Sequence, residues 1–197
     1  MKTQVKKPET HLQKVSCKST TGMVTLAMFC AISVVLVYLI HFPIFPAAAF
    51  LEYDPADIPI FILTFLFGPE IGLIATAVVS VLQWLLVSQA SGWIGCIMHI
   101  VSTGGFVLVA GLIYKKHRTL KGAVVSLAFG ILTMTVTMVL WNIIFTPIYM
   151  GAPLEAVLDI MLPCIIPFNL IKAGVNSILA FLLYKSVGNV VKRILIK

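Results

Sequence analysis

Six apolar stretches govern what this chain can become: about 22–41, 58–67, 71–88, 93–114, 122–146 and 164–184. Four of them approach the roughly 20 residues that an α-helix needs to cross the hydrocarbon of a bilayer. With 60% hydrophobic and only 11% charged residues, the chain is too apolar for the surface of a soluble domain of 197 residues. The expectation is an all-α integral membrane protein, a six-helix transmembrane bundle with a short second helix and a long outer loop between helices 1 and 2.

The net charge of +7 has to be located before its sign is used. Five Lys precede residue 19, four basic residues lie between Lys115 and Lys121, and four lie from Lys185 onward; Lys172 is the fourteenth. Clusters beside helix ends are what the positive-inside rule places in the cytoplasm, so they are topology signals, with attraction to anionic lipid as a second effect. They do not call for nucleic acid. Glu52, Asp54, Asp57, Glu155 and Asp159 occupy segments free of Lys and Arg, which belong outside. If 58–88 were one helix, the Lys115–Lys121 loop would fall on the outer side, against the rule. A turn at Gly68-Pro69-Glu70 restores parity and puts both termini in the cytoplasm. The second helix then has about ten residues, roughly 15 Å, and cannot span alone; it packs at the inner side while the 42–57 loop fills the outer half. Residues 1–21 form a basic cytoplasmic tail and 22–197 a single membrane domain. The basic start, apolar run and Ala47-Ala48-Ala49 imitate a signal peptide, but the apolar run is longer than an h-region, which favours an uncleaved first helix.

Polar residues inside the apolar stretches carry the functional signal. Lys172 lies in PFNLIKAGVNSILAF, where a cation costs about 2.5 kcal/mol or more in lipid; such a residue usually faces the bundle interior or a wet cavity. Asn169, Lys172 and Asn176 follow i, i+3, i+7 on one helix face. Helix 5 is expected over Gly122 to about Phe145 and helix 6 from about Cys164, which sets Asn142 and Asn169 roughly 5–8 Å and Lys172 roughly 12 Å below the outer ends. No acid lies at that depth within the spans, so only Glu52 or another outer-loop acid can fold in to meet the lysine. The loop HFPIFPAAAFLEYDPADIP has too many prolines for a helix and too many apolar residues for a solvated linker, so it folds back onto the bundle. Asp57, before Ile58-Pro59, is expected to cap helix 2; Glu52 has no capping role. Ala27 and Ala31, four apart, permit close helix approach.

Several classes are disfavoured. Cys17, Cys30, Cys96 and Cys164 lack CxxC spacing, and Cys96 with His99 supplies too few ligands for a metal. His99 is expected to be a hydrogen-bonded structural residue. No nucleophile, base and orienting group can be assembled, so no enzyme is expected. There is no nucleotide-binding G-x-x-x-x-G-K-[ST], no carboxylate within the spans for proton coupling, and no visible inverted repeat. What is left is a subunit that captures a small molecule and relies on other chains for energy.

The segments FLEYDPADIP, FGPEIG, LIYKKHRTLKGA and PFNLIKAG, in this order, resemble the riboflavin-specific S components of energy-coupling factor (ECF) transporters, over roughly residues 22–190. The resemblance implies a multi-pass cell-membrane subunit, without a cofactor of its own, that binds riboflavin outside with high affinity. It implies delivery inward together with a membrane-embedded T component and two ATP-binding-cassette ATPases. The family's Ala-xxx-Ala on helix 1, which docks the T component, falls on Ala27 and Ala31. Riboflavin has an apolar dimethylbenzene edge, a pyrimidine edge of N–H and C=O groups, and a ribityl chain of hydroxyls. Phe45, Phe50 and Leu51 are expected to cover the ring; Asn142, Asn169 and Lys172 to serve its polar groups; and Glu52 to lie in the site. The alternatives are an S component for another vitamin, or a stand-alone facilitator of small-molecule uptake.

Overall fold

A computed structural model describes residues 19–195; the basic tail before residue 19, with Cys17, lies outside the described residues. Five helical rods are long and apolar enough to cross a membrane: α1 (Thr20–Leu39), α3 (Pro69–Leu86), α4 (Gly92–Lys116), α5 (Leu120–Met150), and a rod spanning Leu154–Val191. That last rod is α6 (Leu154–Ile160), a π-helical turn (Met161–Ile165) and α7 (Ile166–Leu195) in succession. The sixth rod is the short α2 (Asp57–Phe67), 11 residues long. The expected architecture is therefore present, including the turn that splits 58–88. Gly68 makes that turn with φ of 102°, a conformation open to glycine and strained for other residues, and Pro69 starts α3 where no amide donor is required.

The outward faces of the rods are apolar. Met23, Met28, Val124, Phe129, Leu132, Ile178 and Leu182 are all exposed, as lipid contact requires and water forbids. Polar side chains turn inward or bond to the preceding turn: Thr64, Thr76, Ser80 and Thr135 donate to carbonyls four residues back. α2 is apolar on every side and is buried from Asp57 to Phe65, as an all-round apolar helix should be. It packs against α1, α3, α4 and α7 and forms the centre of the bundle. Close packing there depends on glycine. A Cβ at Gly111 would meet Pro69 Cβ at 2.8 Å and Thr64 Cγ2 at 2.9 Å, and one at Gly72 would collide with the Thr64 hydroxyl. Phe61 and Phe106 stack with centroids 3.8 Å apart, in space left by Gly130.

The chain between α1 and α2 returns over one end of the bundle as a two-stranded antiparallel hairpin, β1 (Phe42–Pro43) and β2 (Glu52–Tyr53), with Phe42 opposite Tyr53. A 3-10 turn at Pro46–Ala48 lies between the strands and packs on the π turn. Ala48, Leu51, Val157, Met161, Cys164, Ile165 and Phe168 form a second apolar cluster beneath it, separate from the main core around α2. This hairpin end also carries the α3–α4 and α5–α6 connections. The opposite, basic end carries Lys115–Lys121, where Thr119 caps α5 by accepting from the Gly122 amide at 3.0 Å.

Two boundaries differ from expectation. α5 runs on through Pro147 to Met150, and the last rod begins at Leu154, ten residues before Cys164. The prolines near these boundaries do not break the rods. Pro163 lies in the wider π turn, which can accommodate a residue lacking an amide hydrogen, and Pro167 lies in the first turn of α7. Asn142, at eight residues from the end of α5, is therefore about 12 Å along the helix axis from that end, deeper than the sequence suggested.

Candidate functional site

α2 does not reach the hairpin end. It starts at mid-depth, and this sets the site, because the acids just before and within its first turn enter the bundle. Lys172 Nζ donates to Asp54 Oδ2 at 2.7 Å, and both side chains are buried. An outer-loop acid does fold in to meet the lysine; it is Asp54 and not Glu52, which is exposed. The other Asp54 oxygen accepts from the Ala56 amide at 3.0 Å, so one carboxylate both turns the chain into α2 and neutralises the lysine. Asn176 holds the same segment: its Nδ2 donates to the Asp54 carbonyl at 3.0 Å, and its Oδ1 accepts from the Tyr53 hydroxyl at 3.0 Å. Burial and the neighbouring Asp54 carboxylate push the Tyr53 phenol above its ordinary pKa, so it remains a donor.

Asp57 is not the cap of α2. Ala56 occupies that position without a side-chain bond, and Asp57 is the first helical residue, near the positive end of the helix dipole. Its carboxylate accepts from Thr103 Oγ1 at 3.0 Å and from His99 Nε2 at 3.1 Å, joining α2 to α4. The other His99 nitrogen lies 2.7 Å from Ser80 Oγ. His99 thus has the hydrogen-bonded role expected of it, and its bonds link α2, α3 and α4 beneath a cavity.

That cavity, of about 290 Å³, lies between the hairpin and the level of these ion pairs. It is near the lower end of the ~300–1,000 Å³ common for small-molecule sites. Phe50, Leu51 and Glu52 line it from the loop, Asn142 from α5, and Asn169 and Lys172 from α7. Asn142 Nδ2 donates to the Met138 carbonyl at 2.7 Å and its Oδ1 accepts from Thr146 at 2.6 Å; Asn169 Nδ2 donates to the Ile165 carbonyl at 2.8 Å. Each amide is thereby held in one orientation while keeping further hydrogen-bonding capacity. At the mouth, Phe50 meets Tyr149 of α5 with ring centroids 5.9 Å apart.

Six of the seven expected ligand residues thus share one cavity. Phe45 does not: it packs on the Ala48–Phe168 cluster beneath the hairpin and does not line the cavity. Sequence reasoning expected an outer-loop acid to meet the lysine without singling out Asp54, and it missed Gln83, Trp84, Met134, Met138, Thr146, Tyr149 and Phe168, which also line the cavity. Gln83 carried a usable signal, a carboxamide within an apolar stretch; the others are ordinary core types in sequence. Ala27 and Ala31 do not line the cavity and are both exposed on α1.

Apolar rods around a ligand-sized, polar-floored cavity define a multi-pass membrane protein built to bind a small molecule. A family model described as "ECF transporter, substrate-specific component" matches residues 22–184, and the chain belongs to that family. It is 32% identical over 191 residues to "Riboflavin transporter RibU" of Staphylococcus aureus (strain TCH60), covering 92% of this chain and 98% of that one. It is 28% identical over 170 residues to "Riboflavin transporter FmnP" of Bacillus subtilis (strain 168), covering 82% and 89%. A solved structure described as "Structure and mechanism of the S component of a bacterial ECF transporter" superposes with a TM-score of 0.74 at 32% identity, over 86% of this chain and 96% of that one.

Proposed function

We propose that this chain is the riboflavin-capturing subunit of an ECF transporter. It takes the vitamin from outside and passes it inward with a T component and two ATP-binding-cassette ATPases. The observation that carries this reading is the cavity itself: a buried lysine and two fixed asparagine amides beside an apolar loop, in a chain similar over nearly its whole length to riboflavin transporters. The lysine can only donate and so suits ring carbonyls, while the amides offer donor and acceptor alike. Phe50, Leu51 and Phe168 supply apolar cover for the rings. Polar groups buried in such a pocket reject analogues that leave them unpaired.

The positive-inside rule orients the molecule with the Lys115–Lys121 end and both termini cytoplasmic and the cavity facing outward. The apolar face of α1, notched at Ala27 and Ala31, supports their role as the docking place for the T component. Mass spectrometry of the small molecule that co-purifies with the chain tests the reading. Riboflavin, with the yellow absorbance of a flavin, is the expected result; a different vitamin would refute it.

A further inference from the structure

The helix face that carries Asn169 and Lys172 carries a third polar residue, Asn176, one turn beyond the lysine on α7. Asn176 is fully buried and, unlike the other two, does not line the cavity. Its amide is committed elsewhere. The Nδ2 group donates to the Asp54 carbonyl at 3.0 Å and reaches Asp57 Oδ2 at 3.4 Å, while Oδ1 accepts from the Tyr53 hydroxyl at 3.0 Å. A main-chain carbonyl and a carboxylate can only accept, so the amide fits one way round, and both of its N–H groups are spent.

One side chain thus grips the chain at Tyr53, Asp54 and Asp57, the stretch where β2 leaves the hairpin and enters α2. The grip extends further. Tyr53 is paired with Phe42 across the hairpin, with ring centroids 5.5 Å apart, so both strands are held through it. Asp57 is held from α4 by Thr103 and His99. Immediately before Tyr53 come Phe50, Leu51 and Glu52, the wall that the loop gives to the cavity. The position of that wall is therefore set from outside the cavity.

The ion pair cannot do this alone. Lys172 has two clients, the Asp54 carboxylate and a carbonyl of the ligand, and an amine turned toward the ligand holds the loop less firmly. The bonds of Asn176 run to a phenol and a main-chain carbonyl, and neither depends on the amine. We infer that Asn176 is a positioning residue: it keeps the hairpin seated on α7 while Lys172 engages the ligand, and it supports affinity without a ligand contact. The inference rests on the riboflavin reading above and adds to it a residue that acts from behind the site.

The test combines riboflavin titration with hydrogen exchange on the full-length chain in detergent. Asn176→Leu should raise the riboflavin Kd about tenfold, through the loss of buried hydrogen bonds. In the ligand-free chain it should speed amide exchange over residues 42–56 at least about fivefold, with α3 and α4 exchanging as in wild type. Tyr53→Phe removes one hydroxyl and should move both readouts in the same direction, about threefold; it decides the matter if the leucine variant does not fold. Exchange that rises equally in all the rods would make Asn176 an ordinary packing residue and overturn the inference, and so would an unchanged hairpin or an unchanged Kd. A wild-type chain that does not bind riboflavin would refute the riboflavin reading, while exchange in the ligand-free chain would still decide whether Asn176 seats the hairpin.

Discussion

Replacing Lys172 with Met removes more than a ligand contact. The amine lies 2.7 Å from Asp54, and both groups are buried. Deleting one member of such a pair leaves the other charge without its partner and typically costs about 3–5 kcal/mol, whereas replacing both by neutral groups is often tolerated. Asp54 also turns the chain into α2 through the Ala56 amide. Lys172→Met alone should therefore lower the thermal stability of the purified chain and loosen the loop. The double variant carrying Asp54→Asn and Lys172→Met should recover most of that stability, since the substituted carboxamide keeps a side-chain acceptor for the Ala56 amide. Riboflavin binding should not recover with it: losing the lysine's donation to a ring carbonyl should weaken binding at least about tenfold, or about 1.4 kcal/mol. Paired thermal unfolding and isothermal titration on wild type, both single variants and the double variant separate the two effects. A double variant that is stable and binds riboflavin like wild type would refute the reasoning and make Lys172 purely structural.

Phosphorylated flavin should bind far more weakly than riboflavin at low salt, because Lys172 is already neutralised by Asp54 and Glu52 lies in the cavity lining; equal affinities for FMN and riboflavin by titration would contradict this. Ala27→Leu or Ala31→Leu, on the exposed face of α1, should leave riboflavin affinity unchanged while lowering co-purification of the T component and ATPases and reducing uptake. Gly111→Val should cost about 1–3 kcal/mol of stability or more by overpacking, since even a Cβ there meets Pro69 and Thr64 at 2.8 and 2.9 Å; an unchanged melting temperature would refute the close approach of α2, α3 and α4.

The rods were legible in the sequence because lipid demands long apolar runs, and the basic clusters resolved the one ambiguous segment, 58–88. Their ends were not. Pro147, Pro163 and Pro167 look like helix breakers, yet α5 passes through the first and a π turn takes up the second. Lys172 stood out because a cation in an apolar helix is expensive, and with no acid at its depth in the spans, any acid that met it would have to come from the loop. Whether Glu52 or Asp54 would meet it depended on the depth at which α2 begins, which the hairpin and its packing on the π turn decide. The same dependence moved Asp57 from a cap to a cross-helix acceptor for His99 and Thr103. Phe45 and Phe50 are indistinguishable by residue type; on either side of the 3-10 turn both pack on the subsidiary core, but only Phe50 also lines the cavity.

A structure of the chain with riboflavin bound would bear on all of this at once. The isoalloxazine ring should lie between the hairpin and α7, with a pyrimidine carbonyl within hydrogen-bond distance of Lys172 Nζ. A flavin bound outside this cavity, or one inside it that leaves Lys172 bonded to Asp54 alone, would contradict the assignment of the lysine to the ligand.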